Sequence, residues 1–326
     1  MSRTLLVVTG SGRSGTSSVA GSLKRLGLHI PPPELEPNEI NPRGFYESQW
    51  VVDFHKELLG SVPVRTNDAR PEAGALAAAA AADPEVVSRL TSWLREHAGP
   101  DQLLVKDPRI FWVPALWRTA AATVGYDLAF LTTLRHPTVV AKSRDSAFLT
   151  DESDDVRLRR TTANVAGWVN NTLETELATR GARRAFVRYD DLLADWRSTL
   201  TRAGAQVAVD YDADLVAGDR HPIDDFLTTE LNRSRVTWDD VDVPSDLREV
   251  AERIWTAVNA LVEAPDDAEQ VARLEQARVE YVRMHHLAAG LAFHETEARE
   301  IAVRRQVTQR LNRKHRQALR ELRDRS

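Results

Sequence analysis

The sequence predicts an α/β fold, a parallel sheet flanked by helices and followed by a helical C-terminal extension. Three observations predict it. Short apolar runs alternate with longer amphipathic stretches through the first two-thirds of the chain, and a glycine-rich turn joins the first run to the first such stretch. From Ser245 onward the runs cease and only helical patterns remain. Parallel strands need crossover connections, so the alternation reads as a sheet covered on both faces.

The first strand is expected at 5–8, an apolar run ended by a glycine turn. A helix follows over 16–28, with Val19, Leu23 and Leu26 at helical spacing and Gly27 as its stop. Residues 61–84, rich in Pro, Ala and Asp, read as a variable surface loop or lid. Further strands are expected at 103–105, 128–134 and 185–187, and helices at 114–124, 137–146, 161–178 and 191–203. The extension comprises helices at 245–264 and 267–289, broken at Pro265, and a basic helix beyond His294. In that last helix Val307, Leu311, Ala318 and Leu322 repeat at 4-7-4 spacing, a narrow stripe suited to packing on its own domain or to a short self-association. The division follows: an α/β domain over 1–244 and a helical region over 245–326.

Composition excludes several classes. The 326 residues contain no cysteine, which removes disulfides, thiolate catalysis, iron–sulfur clusters and cysteine-ligated zinc. No apolar run approaches the ~18 residues of a membrane span, and Thr4–Thr9 is too short and too uncharged in front for a secretory signal. A soluble, cytoplasmic chain is expected. Its net charge is −5, but residues 299–326 carry +7, leaving −12 on the rest. Only five of the 43 basic residues are lysine, at 24, 56, 106, 142 and 314, so each lysine is more informative than an arginine.

The most informative stretch is Gly10-Ser-Gly-Arg-Ser-Gly-Thr-Ser-Ser18. A glycine turn between strand and helix lets backbone N–H groups converge on an anion, and the helix dipole adds to the attraction. Gly10 and Gly15 have the spacing of an ATP-binding P-loop, which makes the expected sheet P-loop-like, but Thr16 stands where that loop carries lysine. Arg13 lies inside the loop, able to fork onto two oxygens of a phosphate or sulfate. A second constellation follows the 128–134 strand: Arg135 leaves its carboxyl end, where open α/β sheets bind ligands, Pro137 opens a helix, and Ser143 lies about two turns along it.

Together the two sites resemble the sulfotransferases that use 3′-phosphoadenylyl sulfate (PAPS). Arg13, Ser14, Gly15, Thr16 and Ser17 match that family's 5′-phosphosulfate loop, with Gly12 preceding them. Arg135 and Ser143 match its 3′-phosphate site at the family's eight-residue spacing. The match is closest to bacterial members with arginine in the loop. Similar segments continue through Asn41-Pro-Arg-Gly-Phe-Tyr-Glu47, Lys106-Asp-Pro-Arg109 and Phe186-Val-Arg-Tyr-Asp-Asp-Leu-Leu193, so the resemblance covers about residues 4–240. It departs in two places. The Arg-Lys-Gly segment that closes over the nucleotide in eukaryotic cytosolic members is missing, with Arg233 and Arg235 as substitutes near the 3′-phosphate. The Lys-Thr-His motif that supplies their catalytic histidine reads Lys106-Asp107-Pro108 here.

The resemblance implies sulfuryl transfer from PAPS to a hydroxyl-bearing acceptor, with 3′,5′-ADP as product and no metal. Arg13 would neutralise charge on the bridging oxygen, and Lys106 would reach the sulfuryl group from the acceptor side. Glu47, after Phe45-Tyr46, is the expected base, with Asp107 as runner-up or, alternatively, as the partner of Arg109. Tyr189 is read either as touching the adenine or as packing, and His136 as structural. Two other classes compete. A P-loop kinase or NTPase lacks its lysine, and a nucleic-acid or anionic-membrane binder acting through the basic tail is opposed, for nucleic acid, by the acidic body.

Overall fold

A computed structural model of the chain describes residues 3–39, 41–148, 153–228 and 236–323. Four strands form one wholly parallel sheet: β1 (Arg3–Thr9), β2 (Gln102–Lys106), β3 (Tyr126–Leu134) and β4 (Arg183–Arg188), in the order β2-β1-β3-β4. Val8 pairs with Lys106 on one side and Leu131 on the other, and Leu134 pairs with Arg188. Successive side chains of β1 go to opposite faces. Leu5 and Val7 join a core with Val105 and Phe130, whereas Leu6 and Val8 join one with Leu104, Leu131 and Val187. Burial on both faces is why these strands read as unbroken apolar runs rather than alternating ones.

Helix α1 (Thr16–Arg25) packs Val19, Ala20 and Leu23 on the second of these faces. The first face is covered by α2 (Gln49–Gly60), α3 (Ala73–Ala81), α4 (Pro84–Glu96) and α5 (Pro114–Val124). The lid expected over 61–84 is corrected here: its alanine tract is α3, with Ala73, Ala77 and Ala81 buried one turn apart. Alanine is the best helix former, and its small side chain lets α3 sit close on the core. Low hydrophobic periodicity in an alanine-rich stretch hid the helix from the pattern.

After β3 come α6 (Pro137–Phe148) and α7 (Asp154–Thr179), and after β4 come α8 (Tyr189–Ala194) and α9 (Trp196–Val207). The single helix expected at 191–203 is divided at Asp195, whose side chain caps α9 by accepting from Ser198 N at 3.1 Å. A short α10 (Pro222–Phe226) and then α11 (Ser245–Ala260) follow. The chain divides into two compact units, residues 1–279 and 280–326. Helix α11, placed by the sequence in the C-terminal region, packs on α7 and β4 within the first unit through Leu247, Val250, Ala251 and Ile254. Helix α12 (Ala268–Leu291) runs across the division, and the second unit continues with α13 (Phe293–Arg323), along which Val307 and Leu311 are exposed. No helix among the described residues is long and apolar enough to cross a membrane.

The strand order has one consequence for the site. The chain leaves β1 toward β2 and leaves β3 toward β4, in opposite directions across the sheet. The crevice where such crossovers diverge, at the carboxyl ends of β1 and β3, is where open α/β sheets bind ligands.

Candidate functional site

The loop after β1 is shaped by contacts that exclude side chains. Gly10 has φ of 136°, and a β-carbon there would stand 2.6 Å from Thr133 O of β3. Gly15 has φ of 90° and its β-carbon would fall 2.1 Å from Cδ2 of the buried Tyr189 ring. Between them Arg13 itself adopts φ of 75°, a left-handed conformation that costs a non-glycine residue about 1 kcal/mol. Ser14 N donates to Ser11 O at 3.1 Å and closes the turn. The amides of Gly15, Thr16 and Ser17 have no backbone acceptor, and no acidic residue stands in the first turn of α1. Free amides and a positive dipole end therefore face outward from the loop.

Gly15→Ala forces both a left-handed β-carbon and a collision with Tyr189. A loss of about 2–5 kcal/mol in urea unfolding is expected. Parental stability in that variant would mean that Tyr189 does not support the loop.

The second half of the site comes from the end of β3 and from α6. Arg135 Nη1 donates to Arg13 O at 3.1 Å, and its guanidinium lies 4.7 Å from the centre of the Tyr189 ring. Arg13 Nε donates to Ser143 Oγ at 2.9 Å. The two sequence sites, 130 residues apart at that contact, thus become one. Arg144, next to Ser143, brings its Nη2 to Gly12. Among the described residues, Arg13, Arg135 and Arg144 have no carboxylate within ion-pair distance, and the buried Nε atoms of Arg135 and Arg144 have no hydrogen-bond partner. Burial, countered by Tyr189 and Asp190 and assisted by Arg13, lowers the pKa of Arg135. It remains a cation at any physiological pH.

The third part lies at the end of β2. Lys106 and Glu47 are both buried and form an ion pair. Lys106 Nζ also donates to Ser17 Oγ at 3.3 Å, as does Asn41 Nδ2 at 3.2 Å, so Ser17 ties the 41–47 segment and β2 to the glycine-rich loop. Burial raises the Glu47 carboxyl above its usual range, Lys106 opposes that, and the Asp107 charge reinforces it. Asp107 is wholly buried, and its oxygens accept from Arg109 N at 2.7 Å, Nε at 2.8 Å and Nη2 at 2.7 Å. Trp117 Nε1 donates to His55 Nε2 at 3.1 Å, which leaves the imidazole proton on Nδ1, 3.5 Å from Asp107 Oδ1. Burial pushes Asp107 up, but His55 and the Arg109 fork outweigh it and hold the carboxyl at about 2.

The expected residues fare differently. Arg13 is bonded to Ser143 and Arg135, Ser17 to Lys106 and Lys106 to Glu47, while Thr16 opens α1 between Gly15 and Ser17. Ser14 turns its hydroxyl inward, where with Ser11, Thr132 and Thr133 it lines a void of about 10 Å³ behind the loop. Asp107 accepts three hydrogen bonds from Arg109, the pairing that is the alternative to its role as base. Tyr189 packs under Gly15 and Arg135. His136 is held by Thr138 and by Glu252 at 3.1 Å, with burial lowering its pKa. Arg233 and Arg235 lie outside the described residues. Sequence reasoning missed Arg144 and Asn41. A helical wheel of 137–148 would have flagged Arg144, an arginine three and four residues after Ala141 and Val140 on the apolar face.

No family model matches the chain, and no curated protein matches it. Among solved structures it is similar to the sulfotransferase domain from the Synechococcus PCC 7002 olefin synthase, at 17% identity, covering 79% of this chain and 95% of that one, with a TM-score of 0.46. It is similar to the sulfotransferase domain from the curacin biosynthetic pathway at 16% identity, 79% and 98% coverage and a TM-score of 0.42. For the sulfotransferase STF1 from Mycobacterium tuberculosis H37Rv the values are 17%, 78%, 77% and 0.40. Likenesses of this size carry no argument about activity, and the functional reading rests on the residues of the site.

Proposed function

We propose that the chain is a sulfotransferase that moves the sulfuryl group of PAPS to a hydroxyl acceptor. The observation that carries this reading is the 2.9 Å bond from Arg13 Nε to Ser143 Oγ, which makes one site of two anion-binding elements. A donor with a phosphosulfate at one end and a separate phosphate at the other presents two anionic groups, and the crevice offers two adjacent sets of unpartnered donors. When bound, the donor supplies an activated sulfuryl group with 3′,5′-ADP as leaving group.

The free amides of α1 and Arg13 hold the phosphosulfate end and neutralise charge growing on the bridging oxygen. Arg135 and Ser143 hold the 3′-phosphate. The acceptor oxygen bonds to sulfur as the bond from sulfur to the bridging oxygen breaks, the electron pair leaving with the phosphate. The acceptor's proton passes to the Glu47 carboxylate. Lys106, bonded to both Glu47 and Ser17, stands between the base and the loop and meets the sulfuryl oxygens. As in phosphoryl transfer, the work is mostly positioning and electrostatic stabilisation.

Calorimetry tests the reading: 3′,5′-ADP is expected to bind more tightly than ATP, with or without magnesium. Arg135→Ala is expected to weaken 3′,5′-ADP roughly 10- to 100-fold with circular dichroism unchanged, since a charged hydrogen bond is worth ~1.5–3 kcal/mol. Tight, magnesium-dependent ATP binding without a response to 3′,5′-ADP overturns it.

A further inference from the structure

Arg144 has no role in the mechanism above, and its surroundings are unusual for an arginine. It follows Val140 and Ala141, both fully buried, by four and three residues on α6, so the helical period turns it toward the protein. Its Nε is shut off from solvent and has no hydrogen-bond partner. Its Nη2 lies 3.1 Å from where a β-carbon on Gly12 would stand, so the absence of a side chain at 12 is what admits it to the loop. Burial, with the charge of Arg13 next, depresses its pKa to about 10. Asp145, the nearest acid in sequence, is engaged elsewhere, accepting from Thr161 Oγ1 and Asn164 Nδ2 at 2.7 Å each.

Arg144 therefore stands at Gly12, within reach of the Arg13 charge and with no carboxylate bonded to it, and it is next in sequence to Ser143, whose Oγ accepts from Arg13 Nε. Placing an unpaired cation in such a position costs stability, and a bound anion relieves that cost. A phosphomonoester is nearly a dianion at neutral pH and offers three terminal oxygens, enough to face two forks and a hydroxyl. A phosphodiester or sulfate ester carries one charge. We infer that Arg144 is a binding residue for a phosphomonoester dianion, which it grips together with Arg135 and Ser143 while Arg13 stays on the phosphosulfate end, and that it sets the preference for a nucleotide bearing a separate phosphomonoester. The inference rests on the proposed function, in which that group is the 3′-phosphate of the donor.

The test compares 3′,5′-ADP with adenosine 5′-phosphate, which lacks only the 3′ group, on the full chain. Arg144→Met, apolar and of similar reach, is expected to weaken 3′,5′-ADP roughly 10- to 100-fold and to leave adenosine 5′-phosphate unchanged. Its ligand-free Tm is expected to equal or exceed the parent's, because an unpaired buried charge has gone; a merely structural arginine would lower it. Arg144→Lys restores part of the affinity, as a point charge without the fork. The inference is overturned if Arg144→Met binds 3′,5′-ADP like the parent, loses both ligands equally, or loses binding together with Tm. A parent that binds neither nucleotide sinks the functional reading itself, and this inference with it.

Discussion

Glu47→Gln is expected to keep 3′,5′-ADP affinity while lowering turnover by roughly 10²–10⁴, the usual worth of a positioned base. The amide retains an oxygen for Lys106 but cannot take a proton. The two halves of the expectation separate because Glu47 reaches the anion loop only through Lys106 and Ser17. The parent's turnover should also fall on the acid side at a pH above the ordinary carboxylate range, since burial raises the Glu47 pKa and only its ionised form accepts a proton. That acid limb should be missing from the residual activity of the variant. The assay follows labelled sulfate from PAPS into a panel of phenols, sugars and other hydroxyl compounds. Parental turnover in Glu47→Gln would remove the base assignment and leave Glu47 as the buried partner of Lys106.

Asp107→Asn is expected to cost roughly 3–5 kcal/mol of folding free energy, the usual penalty for breaking a buried ion pair. Asn offers one acceptor where the Arg109 fork needs two, and it presents an NH₂ to a donor. The pH dependence has a definite sign. The carboxyl is held at about 2 in the folded chain against 3.8 for the free group, so its stabilisation is complete above about pH 4 and lost as pH falls through about 2. Unfolding by urea at several pH values should therefore show the gap between parent and variant narrowing over that window. Equal stability at neutral pH would mean that Arg109 is satisfied without Asp107. Turnover per folded molecule should survive in Asp107→Asn. If it vanishes while the fold persists, the base is Asp107 and not Glu47.

Much of this architecture is written locally. The apolar runs within β1 to β4 follow from burial on both sheet faces, and Gly10 and Gly15 mark turns that hardly any other residue would permit. Helix α3 is the counterexample: alanine repeated without contrast has no apolar face to detect, and only the core lying against Ala73, Ala77 and Ala81 reveals one. The surroundings of Ser14 and Asp107 were hidden for a related reason. Residue type and spacing announce that a hydroxyl or carboxylate is present, but its surroundings are set by chain segments elsewhere, as Thr132 and Thr133 line the void behind Ser14 and His55 stands beside Asp107.

The sequence by itself therefore determined the α/β class, the strands and the glycine-rich loop after β1, and it singled out Arg135 and Ser143 after β3. These are properties of short segments, set by side-chain period, glycine conformation and helix-terminal chemistry. Only the tertiary structure decided that the loop after β1 and the Arg135–Ser143 segment meet, because the sheet order places the carboxyl ends of β1 and β3 side by side where their crossovers diverge. It alone joined Glu47 to Lys106 across 59 residues and brought Arg144 to Gly12. Such contacts arise from strand register and helix packing, which act between segments far apart in the chain and leave no periodic mark on either one.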